Sequence, residues 1–321
     1  MSHLGQPTPI PDITNNLRAL WETDQAKSRA ALMNLVIYAE DGTTLDQMAA
    51  EVEQVGAEHA CRALIISANP CAEGAEQPPK AWITAHCRLG GTGGGEVCCE
   101  QIAFELCARD TNQLRNLVFA HLDSDLPLIF WWQGELSDSF EPRLYSRFDR
   151  LIVDSDTWSE PAAALARASL PNDYVLHDLA WSRTHSLRLA IADCFETPSA
   201  NAALGKVSEV EITHDPAHSN TAALLSAWIA RGLEWDELRR AATICYTKEA
   251  GAPVSRVSIE AGDCRFEITA GADAVRTSSR LGHREIDQVL PAAAIDDAGV
   301  VSELLARGGD NDLYLKTIAI L

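Results

Sequence analysis

The residues best suited to chemistry lie in a predicted hairpin, where a glycine-rich segment precedes two adjacent cysteines, Cys98 and Cys99. His86 lies on the opposite strand of that hairpin and could act as the base for a thiol nucleophile. Neighbours in a strand point to opposite faces, so only one of the two thiols could meet the histidine. The alternative is that both cysteines are small buried hydrophobic side chains. Both also remain candidates for a thiol redox switch.

The glycine-rich segment, Gly90-Gly-Thr-Gly-Gly-Gly-Glu96, has the composition of a phosphate-binding loop but lacks its pattern. No Lys-Ser or Lys-Thr pair follows it, and no window satisfies Gly-x-Gly-x-x-Gly. The carboxylate of Glu96 would also repel a phosphate. Gly93, Gly94, Gly95 and Glu96 are therefore expected at a flexible hairpin tip that can close over a partner.

A short apolar run, Leu-Ile-Phe-Trp-Trp over residues 128–132, is typical of a central strand that is covered on both faces. Trp131 and Trp132 would point to opposite faces, and Gly134 permits a turn directly after them. Because binding crevices form at the carboxyl ends of strands in open α/β sheets, we expect a candidate surface from Trp131 to Glu135. The alternative is that both rings are part of the core.

Two later segments bring carboxylates, hydroxyls and an arginine to predicted ends of elements. Asp154 and Ser155 follow one short strand, and Asp178, Trp181 and Arg183 lie at the start of a predicted helix. These groups could supply a general acid and a general base or could line a crevice. The alternative is helix capping, because Ser155, Thr157 and Asp178 are all suited to N-cap positions.

The hydrophobic pattern that must position these residues predicts an α/β fold. A strand over 33–38, a helix over 44–55 and a strand over 61–66 form a right-handed crossover unit. Segments 80–88 and 96–104 alternate as an antiparallel hairpin. We therefore expect a mixed, mostly parallel, Rossmann-like sheet with helices on both faces.

The rest of the chain predicts a second, smaller domain. Residues 1–11 contain three prolines and are expected to form a flexible arm, followed by an N-terminal α/β domain over 12–200. A strand over 206–213, a striped helix and an antiparallel meander after residue 254 indicate a C-terminal α+β domain over 201–321. A helix over 299–307 is expected near the end.

Composition excludes several classes of function. The chain has 321 residues, of which 46% are hydrophobic, and a formal net charge of -20, which argues against binding nucleic acid. It contains no apolar run long enough to span a membrane and no secretory signal pattern. Nine cysteines, with no Cys-x-x-Cys pair, favour reduced thiols in a cytoplasmic protein and give no metal-binding spacing. No cofactor fingerprint is present.

Several short sequence motifs occur together and in the same order. They include Arg62-Ala-Leu-Ile-Ile66, Gly93-Gly-Gly-Glu-Val-Cys-Cys-Glu-Gln-Ile102, Leu126 to Gly134, Asp149-Arg-Leu-Ile-Val-Asp-Ser155 and Asp178-Leu-Ala-Trp-Ser-Arg183. Together they resemble the OpcA family of glucose-6-phosphate dehydrogenase assembly proteins. The resemblance covers residues 15 to 200 most strongly.

The resemblance implies a non-catalytic allosteric activator. Such a protein would bind glucose-6-phosphate dehydrogenase, promote its active oligomer and raise its activity in the oxidative pentose phosphate pathway. It also implies a cytoplasmic setting and, for some members, redox control of the thioredoxin type. Two alternatives stay open, namely an enzyme acting on a sugar phosphate through the glycine loop, Cys98 and His86, and a thiol redox sensor.

Overall fold

The structure, a computed structural model, describes residues 3–23, 31–40, 42–69, 78–89, 96–107, 111–137, 146–168, 174–233, 243–292, 296–308 and 311–321. The predicted hairpin tip at Gly93, Gly94 and Gly95 lies outside these ranges. Glu96 is the first residue of a strand.

Contacts between residues divide the chain into two compact units. The first unit comprises Met1–Ser159, Ala168–His177 and Asp297–Gly308, and the second comprises Glu160–Arg167, Asp178–Asp296 and Gly309–Leu321. The main boundary between the two units therefore lies between His177 and Asp178. It precedes the boundary that the sequence predicts near residue 200. The helices that follow Asp178 belong to the second unit because they pack with later elements of that unit.

The first unit is built on eight strands and four helices among the described residues. The strands are β1 (Gln6–Thr8), β2 (Met33–Ala39), β3 (Cys61–Asn69), β4 (Lys80–Leu89), β5 (Glu96–Cys107), β6 (Leu128–Gln133), β7 (Arg150–Val153) and β8 (Val175–Asp178). The helices are α1 (Ile13–Thr23), α2 (Leu45–Gly56), α3 (Thr111–His121) and, from near the end of the chain, α9 (Asp297–Arg307).

The strands form one mixed sheet in the order β1-β4-β5-β3-β2-β6-β7-β8. The pairs β5–β3, β3–β2, β2–β6 and β6–β7 are parallel, whereas β1–β4 and β4–β5 are antiparallel. When the antiparallel β1 and β4 are set aside, the remaining six strands have the order of a doubly wound Rossmann sheet. The prediction of a mixed, mostly parallel α/β sheet is confirmed.

The order in which successive strands are added to the sheet reverses at β2, and this reversal places helices on both faces. The crossover through α2 runs from β2 to β3, and the crossover through α3 returns from β5 to β6 on the other side of β2. Because parallel crossovers are right-handed, the two helices lie on opposite faces of the sheet. All seven residues of β2 are accordingly buried.

Helix α2 shows how the local sequence specifies an element. Thr44 accepts a hydrogen bond at Oγ1 from the backbone amide of Gln47 (3.3 Å), which caps the helix N-terminus. The predicted stripe is buried and comprises Leu45, Met48, Ala49, Val52 and Val55. This helix packs on β3, as its periodicity predicts.

The start of the chain departs from the expected flexible arm. Residues Gln6–Thr8 pair antiparallel with Ala81–Ile83 of β4, and Thr8 is buried. The antiparallel hairpin of β4 and β5 is confirmed, and its outer strand offers unpaired backbone groups that β1 satisfies. The alternation of the hairpin was visible in the sequence, whereas a three-residue strand lacks enough residues to show a period.

The end of the chain contributes to both units. Helix α9, which covers the predicted 299–307 helix, packs against α2 of the first unit. Ser302 donates from Oγ to Glu58 Oε2 (2.7 Å), and its carbonyl oxygen lies 2.9 Å from His59 Nε2. These bonds join residues separated by more than half of the chain.

The second unit contains six strands and six helices among the described residues. The strands are β9 (Val207–His214), β10 (Thr243–Lys248), β11 (Val254–Ala261), β12 (Cys264–Ala270), β13 (Ala274–Leu281) and β14 (Arg284–Pro291). The helices are α4 (Pro161–Ala168), α5 (Leu179–Arg183), α6 (His185–Cys194), α7 (Pro198–Asn201), α8 (Ser219–Gly232) and α10 (Asp312–Ile318).

The second sheet has the order β10-β9-β11-β12-β13-β14, and every pair except the parallel β10–β9 is antiparallel. The predicted antiparallel meander is confirmed, and β10 and α10 are additions that the sequence analysis missed. The core of this unit joins one sheet face to α6 and α8 through Ile191, Leu225, Val257, Ile259 and Phe266. Phe195 packs on Phe266 with ring centroids 4.3 Å apart.

Gly5 offers a test of how β1 is held. Its φ is +80°, and a Cβ at this position would lie 2.3 Å from Ile83 O and 2.5 Å from Thr84 Cβ. We expect Gly5→Ala to displace β1, because it adds a clash with the β4 backbone to the strain of about 1–2 kcal/mol for a left-handed residue. Faster amide hydrogen exchange at Gln6–Thr8 is the expected result.

Gly42→Ala is the matched control, since Gly42 has a similar φ of +86° and no heavy atom within 4 Å of the position that a Cβ would occupy. It should carry the backbone strain alone and leave the β1 amides protected. Equal exchange at Gln6–Thr8 in both variants would contradict this account of β1.

Candidate functional site

The candidate site lies where the strand order reverses, at the carboxyl ends of β2 and β6. These strands pair in parallel, with Tyr38 beside Trp132 and Ala39 beside Gln133. Glu40 follows β2, and Gly134 and Glu135 follow β6. Ligands of doubly wound sheets bind in the crevice at such a switch point.

Aromatic side chains fill the sheet at this position. Trp131 and Trp132 are 1% and 0% exposed, and the rings of Tyr38 and Trp132 have centroids 4.6 Å apart. The buried indole of Trp132 donates from Nε1 to the carbonyl of Glu135 (3.0 Å). Both tryptophans are therefore core residues and not a contact surface, because each faces a covered side of the sheet. This was the alternative that the sequence left open.

The turn after β6 is fixed by backbone groups. Gly134 has a φ of +79°, and its carbonyl accepts a hydrogen bond from Trp158 Nε1 (3.0 Å). The carboxylate of Glu135 accepts from the backbone amide of Ser159 (3.2 Å) and from its hydroxyl. Of the predicted residues in this turn, Glu135 is exposed and Gly134 is partly exposed.

Glu40 lies in the turn between β2 and α2, which is the first strand-to-helix turn of the doubly wound sheet. The sequence analysis did not identify it. Its Oε1 accepts hydrogen bonds from Tyr38 Oη (2.6 Å) and from Ser137 Oγ (2.9 Å). A dinucleotide-binding fold places glycines and free amides at this turn to receive a pyrophosphate. A carboxylate and the segment Ala39-Glu-Asp-Gly-Thr-Thr44 do not fit that group. The rule that strand ends carry polar groups could have identified Glu40.

A second carboxylate near the end of β6 has an altered pKa. Gln133 donates from Nε2 to Glu51 Oε2, which joins the end of β6 to α2. Burial raises the pKa of Glu51 to about 7, hydrogen bonds from Gln133 and Gln47 oppose the rise, and the charge of Asp297 adds to it. Glu51 therefore titrates near neutral pH.

Asp154 and Ser155 follow β7 and are both buried. Asp154 accepts at Oδ1 from the amide of Asp156 (3.2 Å), and its carbonyl accepts from Thr157 Oγ1 (2.7 Å). This geometry caps the 3-10 turn Ser155–Thr157. The N-cap of this turn is therefore Asp154, and the prediction that Ser155 or Thr157 occupies an N-cap is wrong, because both lie inside the turn.

Asp178, Trp181 and Arg183 come together within the second unit. Asp178 caps α5 by accepting from the amide of Ala180 (3.0 Å), and its other carboxylate oxygen accepts from Tyr314 Oη (2.9 Å). Trp181 lies 5.7 Å from the Tyr314 ring by centroids. Burial and the neighbouring charge of Asp178 raise the pKa of Tyr314 well above its ordinary value. Tyr314 is a neutral donor to a buried carboxylate.

Two arginines also belong to this cluster. Arg183 is 7% exposed, and the guanidinium carbon of Arg188 lies 3.5 Å from the Trp181 ring centroid. Arg188 also donates to the Trp181 carbonyl (2.7 Å) and to Thr184 Oγ1. The cluster buries its charged groups inside the second unit.

The register of the hairpin corrects the proposed nucleophile pair. His86 lies opposite Cys99, and Cys98 lies opposite Cys87, so the residue that the strands pair with His86 is Cys99 and not Cys98. Cys99 is buried, and its Sγ lies 3.3 Å from the amide nitrogen of Cys61. A hydrogen bond to Cys99 and burial raise the pKa of the Cys61 thiol well above its ordinary value. Cys61 is therefore a protonated core thiol.

Histidine, cysteine, aspartate and glutamate form no group of three or more that could hold a metal ion in the described part of the chain. The same ranges contain no helix with the length and apolar character needed to cross a bilayer.

Two family models match consecutive parts of the chain. The model described as the glucose-6-phosphate dehydrogenase subunit N-terminal domain of OpcA matches residues 52–169, and the corresponding C-terminal domain matches residues 174–318. The chain belongs to the OpcA family. A curated relative, the putative OxPP cycle protein OpcA of Nostoc punctiforme, is 27% identical over 208 residues, which are 62% of this chain. The match covers 42% of the relative, so this OpcA chain spans less than half of it.

Solved structures show a distant likeness to this OpcA protein. The aldose-aldose oxidoreductase of Caulobacter crescentus has a TM-score of 0.45 and 11% identity, covering 90% of this chain and 95% of that one. An oxidoreductase of Sinorhizobium meliloti has a TM-score of 0.44 and 10% identity, covering 91% and 90%. Both TM-scores lie below 0.5, so neither likeness informs function.

The raised pKa of Glu51 predicts a pH-dependent stability. Below its ordinary pKa of 4.5 the carboxyl is protonated in both states and makes no difference. Between pH 4.5 and about 7 the unfolded state loses the proton first, so the folded state loses stability as the pH rises. We expect Glu51→Gln to stabilise the protein by about 2 kcal/mol at pH 8, after allowance for partial exposure. Urea unfolding at several pH values measures this.

Below pH 4.5 the variant and the parent protein should unfold at the same urea concentration, which is the internal control. Parallel stability profiles from acid to alkaline pH would show that Glu51 does not titrate near neutrality.

The buried hydrogen bond from Tyr314 to Asp178 predicts that removing the Tyr314 hydroxyl lowers the free energy of unfolding more than removing an exposed tyrosine hydroxyl does. Tyr314→Phe should lower the free energy of unfolding by about 1–3 kcal/mol, because it leaves a buried carboxylate oxygen without this donor. Tyr246→Phe is the control, since that hydroxyl donates to Ser226 Oγ (2.7 Å) from a side chain that is 48% exposed. Chemical denaturation should show a clearly smaller loss for Tyr246→Phe; equal losses would contradict the assignment.

Proposed function

We propose that this protein is a non-catalytic partner of glucose-6-phosphate dehydrogenase that promotes its active assembly in the oxidative pentose phosphate pathway. The observation that carries the proposal is the match of both OpcA dehydrogenase-subunit models, in order, to residues 52–169 and 174–318. The proposed setting is the cytoplasm.

The switch point supports a role other than dehydrogenase chemistry. A hydride-transferring enzyme of this fold needs a first turn that receives a pyrophosphate. Here Glu40 places a carboxylate there, hydrogen-bonded to Tyr38 and Ser137. An anionic cofactor would meet that charge, so the residues favour a binding protein on an enzyme-like scaffold.

The strand ends support the same proposal. Asp154 and Asp178 cap helical turns. In the register of β4 and β5, His86 is opposite Cys99 and not Cys98. The two carboxylates that could have supplied an acid or a base are thus engaged in holding the fold. The alternative of a sugar-phosphate enzyme has no specific geometric support from these residues.

Activation would follow from linkage between two equilibria. A partner that binds the active oligomer more tightly than the inactive subunits shifts the dehydrogenase toward that oligomer. Coupling of this kind is typically about 1–3 kcal/mol. Near the strand ends of the first unit, Glu135 is the exposed side chain of the predicted set and is our candidate for direct contact.

The experiment is an assay of glucose-6-phosphate dehydrogenase from the same organism, over a range of substrate, with and without this protein. We expect a lower Michaelis constant or a higher maximal rate. Where the change is in binding affinity, the typical coupling free energy corresponds to a factor of about 5 to 150. Size-exclusion chromatography with light scattering should show the larger assembly in the same samples.

Charge reversal tests the contact. Glu135→Lys should weaken activation, whereas Glu285→Lys, an exposed carboxylate on β14 of the second unit, should leave it unchanged. Assays with oxidant and with reductant separate the redox-control proposal, which predicts a difference between the two. The assembly proposal would be overturned if the dehydrogenase showed no rate change and formed no complex with this protein, both with oxidant and with reductant.

A further inference from the structure

One face of the second sheet presents charged side chains to solvent. Side chains alternate between the two faces along each strand, and the residues of one face form the core with α6 and α8. On the opposite face, Glu209 of β9, Arg265 of β12 and Arg280 of β13 are exposed. This open face is a surface that a partner could cover.

The register of the strands places four charges in one row across the open face. Glu209 lies opposite Glu260, which lies opposite Arg265 on its other side. Arg265 in turn lies opposite Arg280. The strands that carry these residues are neighbours in the order β9-β11-β12-β13. Two carboxylates therefore occupy one half of the row, and two guanidinium groups occupy the other half.

The two ends of this row are unpaired. Within the ranges that the structure describes, neither Glu209 nor Arg280 has a hydrogen bond or an ion pair, although Glu285 of β14 lies opposite Arg280. The middle of the row is paired, since Arg265 lies 3.2 Å from Glu260. The Arg265 side chain is 45% exposed, and such a surface pair contributes little stability. The outer charges are thus the ones that a partner could satisfy.

The row is complementary to itself about a twofold axis. An axis that runs along the strands, between β11 and β12, reverses the strand order in a second sheet stacked on the first and keeps the position of each residue along its strand. It places β9 of one copy over β13 of the other. Glu209 then faces Arg280 of the second copy, and Glu260 faces Arg265 of the second copy. In an interface of this symmetry, each pair occurs twice.

The next row along the strands introduces no contact between like charges. It consists of Glu211, Ser258, Glu267 and Ser278. The same axis places Glu211 opposite Ser278 and Glu267 opposite Ser258, so each carboxylate faces a hydroxyl. An arginine of the same sheet lies 3.9 Å from Glu211 and 3.8 Å from Glu267.

The open face has nearly the size that a dimer needs. Its six strands contain six to eight residues each. With the usual strand spacing and rise, they cover about 29 Å by about 24 Å, or about 700 Å². A standard interface buries about 800 Å² per partner. Stacked sheets lie about 10 Å apart, which is a distance that an arginine and a glutamate can bridge together.

Charge favours a second copy of this chain as the partner. The chain has a net charge of -20, so two copies repel each other over much of their surface. The row from Glu209 to Arg280 is neutral and has its two signs in separate halves. A uniformly acidic or basic partner would oppose like charge along half of it, whereas a second copy meets complementary charge throughout.

We propose that the open face of the second sheet is a homodimer interface, in which Glu209 of each copy pairs with Arg280 of the other across a twofold axis between β11 and β12. The dimer is a property of the isolated protein and does not depend on the dehydrogenase proposal.

The test is sedimentation equilibrium of the full chain from low to high micromolar concentration. We expect a reversible equilibrium between monomer and dimer, because the face is polar and close to the lower end of the size of stable interfaces. A monomer at every concentration would overturn the proposal.

Charge reversal locates the interface. Glu209→Arg and Arg280→Glu should each raise the dissociation constant of the dimer by about tenfold or more, because each sets two pairs of like charges against each other. An equimolar mixture of the two variants should form a heterodimer, since every charge at these two positions again faces its opposite. Native mass spectrometry separates the two chains by mass and reports it. The double variant should dimerise like the parent protein.

Glu285→Arg is the matched control. Glu285 lies in the same row on β14, and the axis places it opposite the exposed, uncharged Thr243 of β10. Its reversal should change the dissociation constant by no more than about twofold, as is usual for a surface substitution.

Two results would contradict the assignment. A dimer that is insensitive to both single reversals, or a mixture that forms no heterodimer, would place the interface on another surface. If the reversals abolished a complex with the dehydrogenase while the isolated chain stayed monomeric, the occupant of the face would be the dehydrogenase, and the homodimer proposal would fail. Activation by the parent protein is read in a separate assay, so either proposal can fail while the other stands.

Discussion

The structure of the first unit depends on one constraint, which is that two adjacent tryptophans on a single strand must both be buried. Trp131 and Trp132 point to opposite faces of β6, and each aromatic side chain has about 150–250 Å² to remove from water. A sheet that was open on one face could satisfy only one of them. Placing β6 beside the fully buried β2, with crossover helices on both faces, satisfies both at once. The doubly wound order is one arrangement that buries both side chains.

Because both faces of the first sheet are covered, the polar groups at the strand ends need hydrogen-bond partners within the protein. Polar groups that emerge from a covered sheet must find partners nearby, because a buried group without a hydrogen bond costs free energy. Glu40 takes hydroxyl donors from Tyr38 and Ser137, and Asp178 takes an amide and the Tyr314 hydroxyl. Groups held in this way stabilise and orient the chain. At the switch point of this OpcA protein, the hydrogen-bonded carboxylate of Glu40 occupies the turn that receives a pyrophosphate in dinucleotide-binding sheets.

Features encoded within a few residues could be read from the sequence, and features that depend on distant partners could not. The stripe and cap of α2 and the hairpin of β4 and β5 follow from local period and turn chemistry, and both were predicted. The pairing of Gln6–Thr8 depends on an edge that forms elsewhere in the chain. The identity of the cysteine opposite His86 depends on register, and a slip of one residue reverses every side chain in a strand. Burial of Arg183 likewise comes from packing that no local pattern records.

The position of α9 has a consequence for how the chain folds during synthesis. This helix covers α2 of the first unit, yet it is encoded after almost all of the second unit. A ribosome would therefore release the strands of the first sheet long before the helix that covers α2, and the bonds from Ser302 to Glu58 and His59 close only after Ser302 has emerged. Domains that fold as they emerge usually complete in order from the N-terminus. Here the first unit is completed only after most of the second unit has been synthesised, because α9 belongs to it.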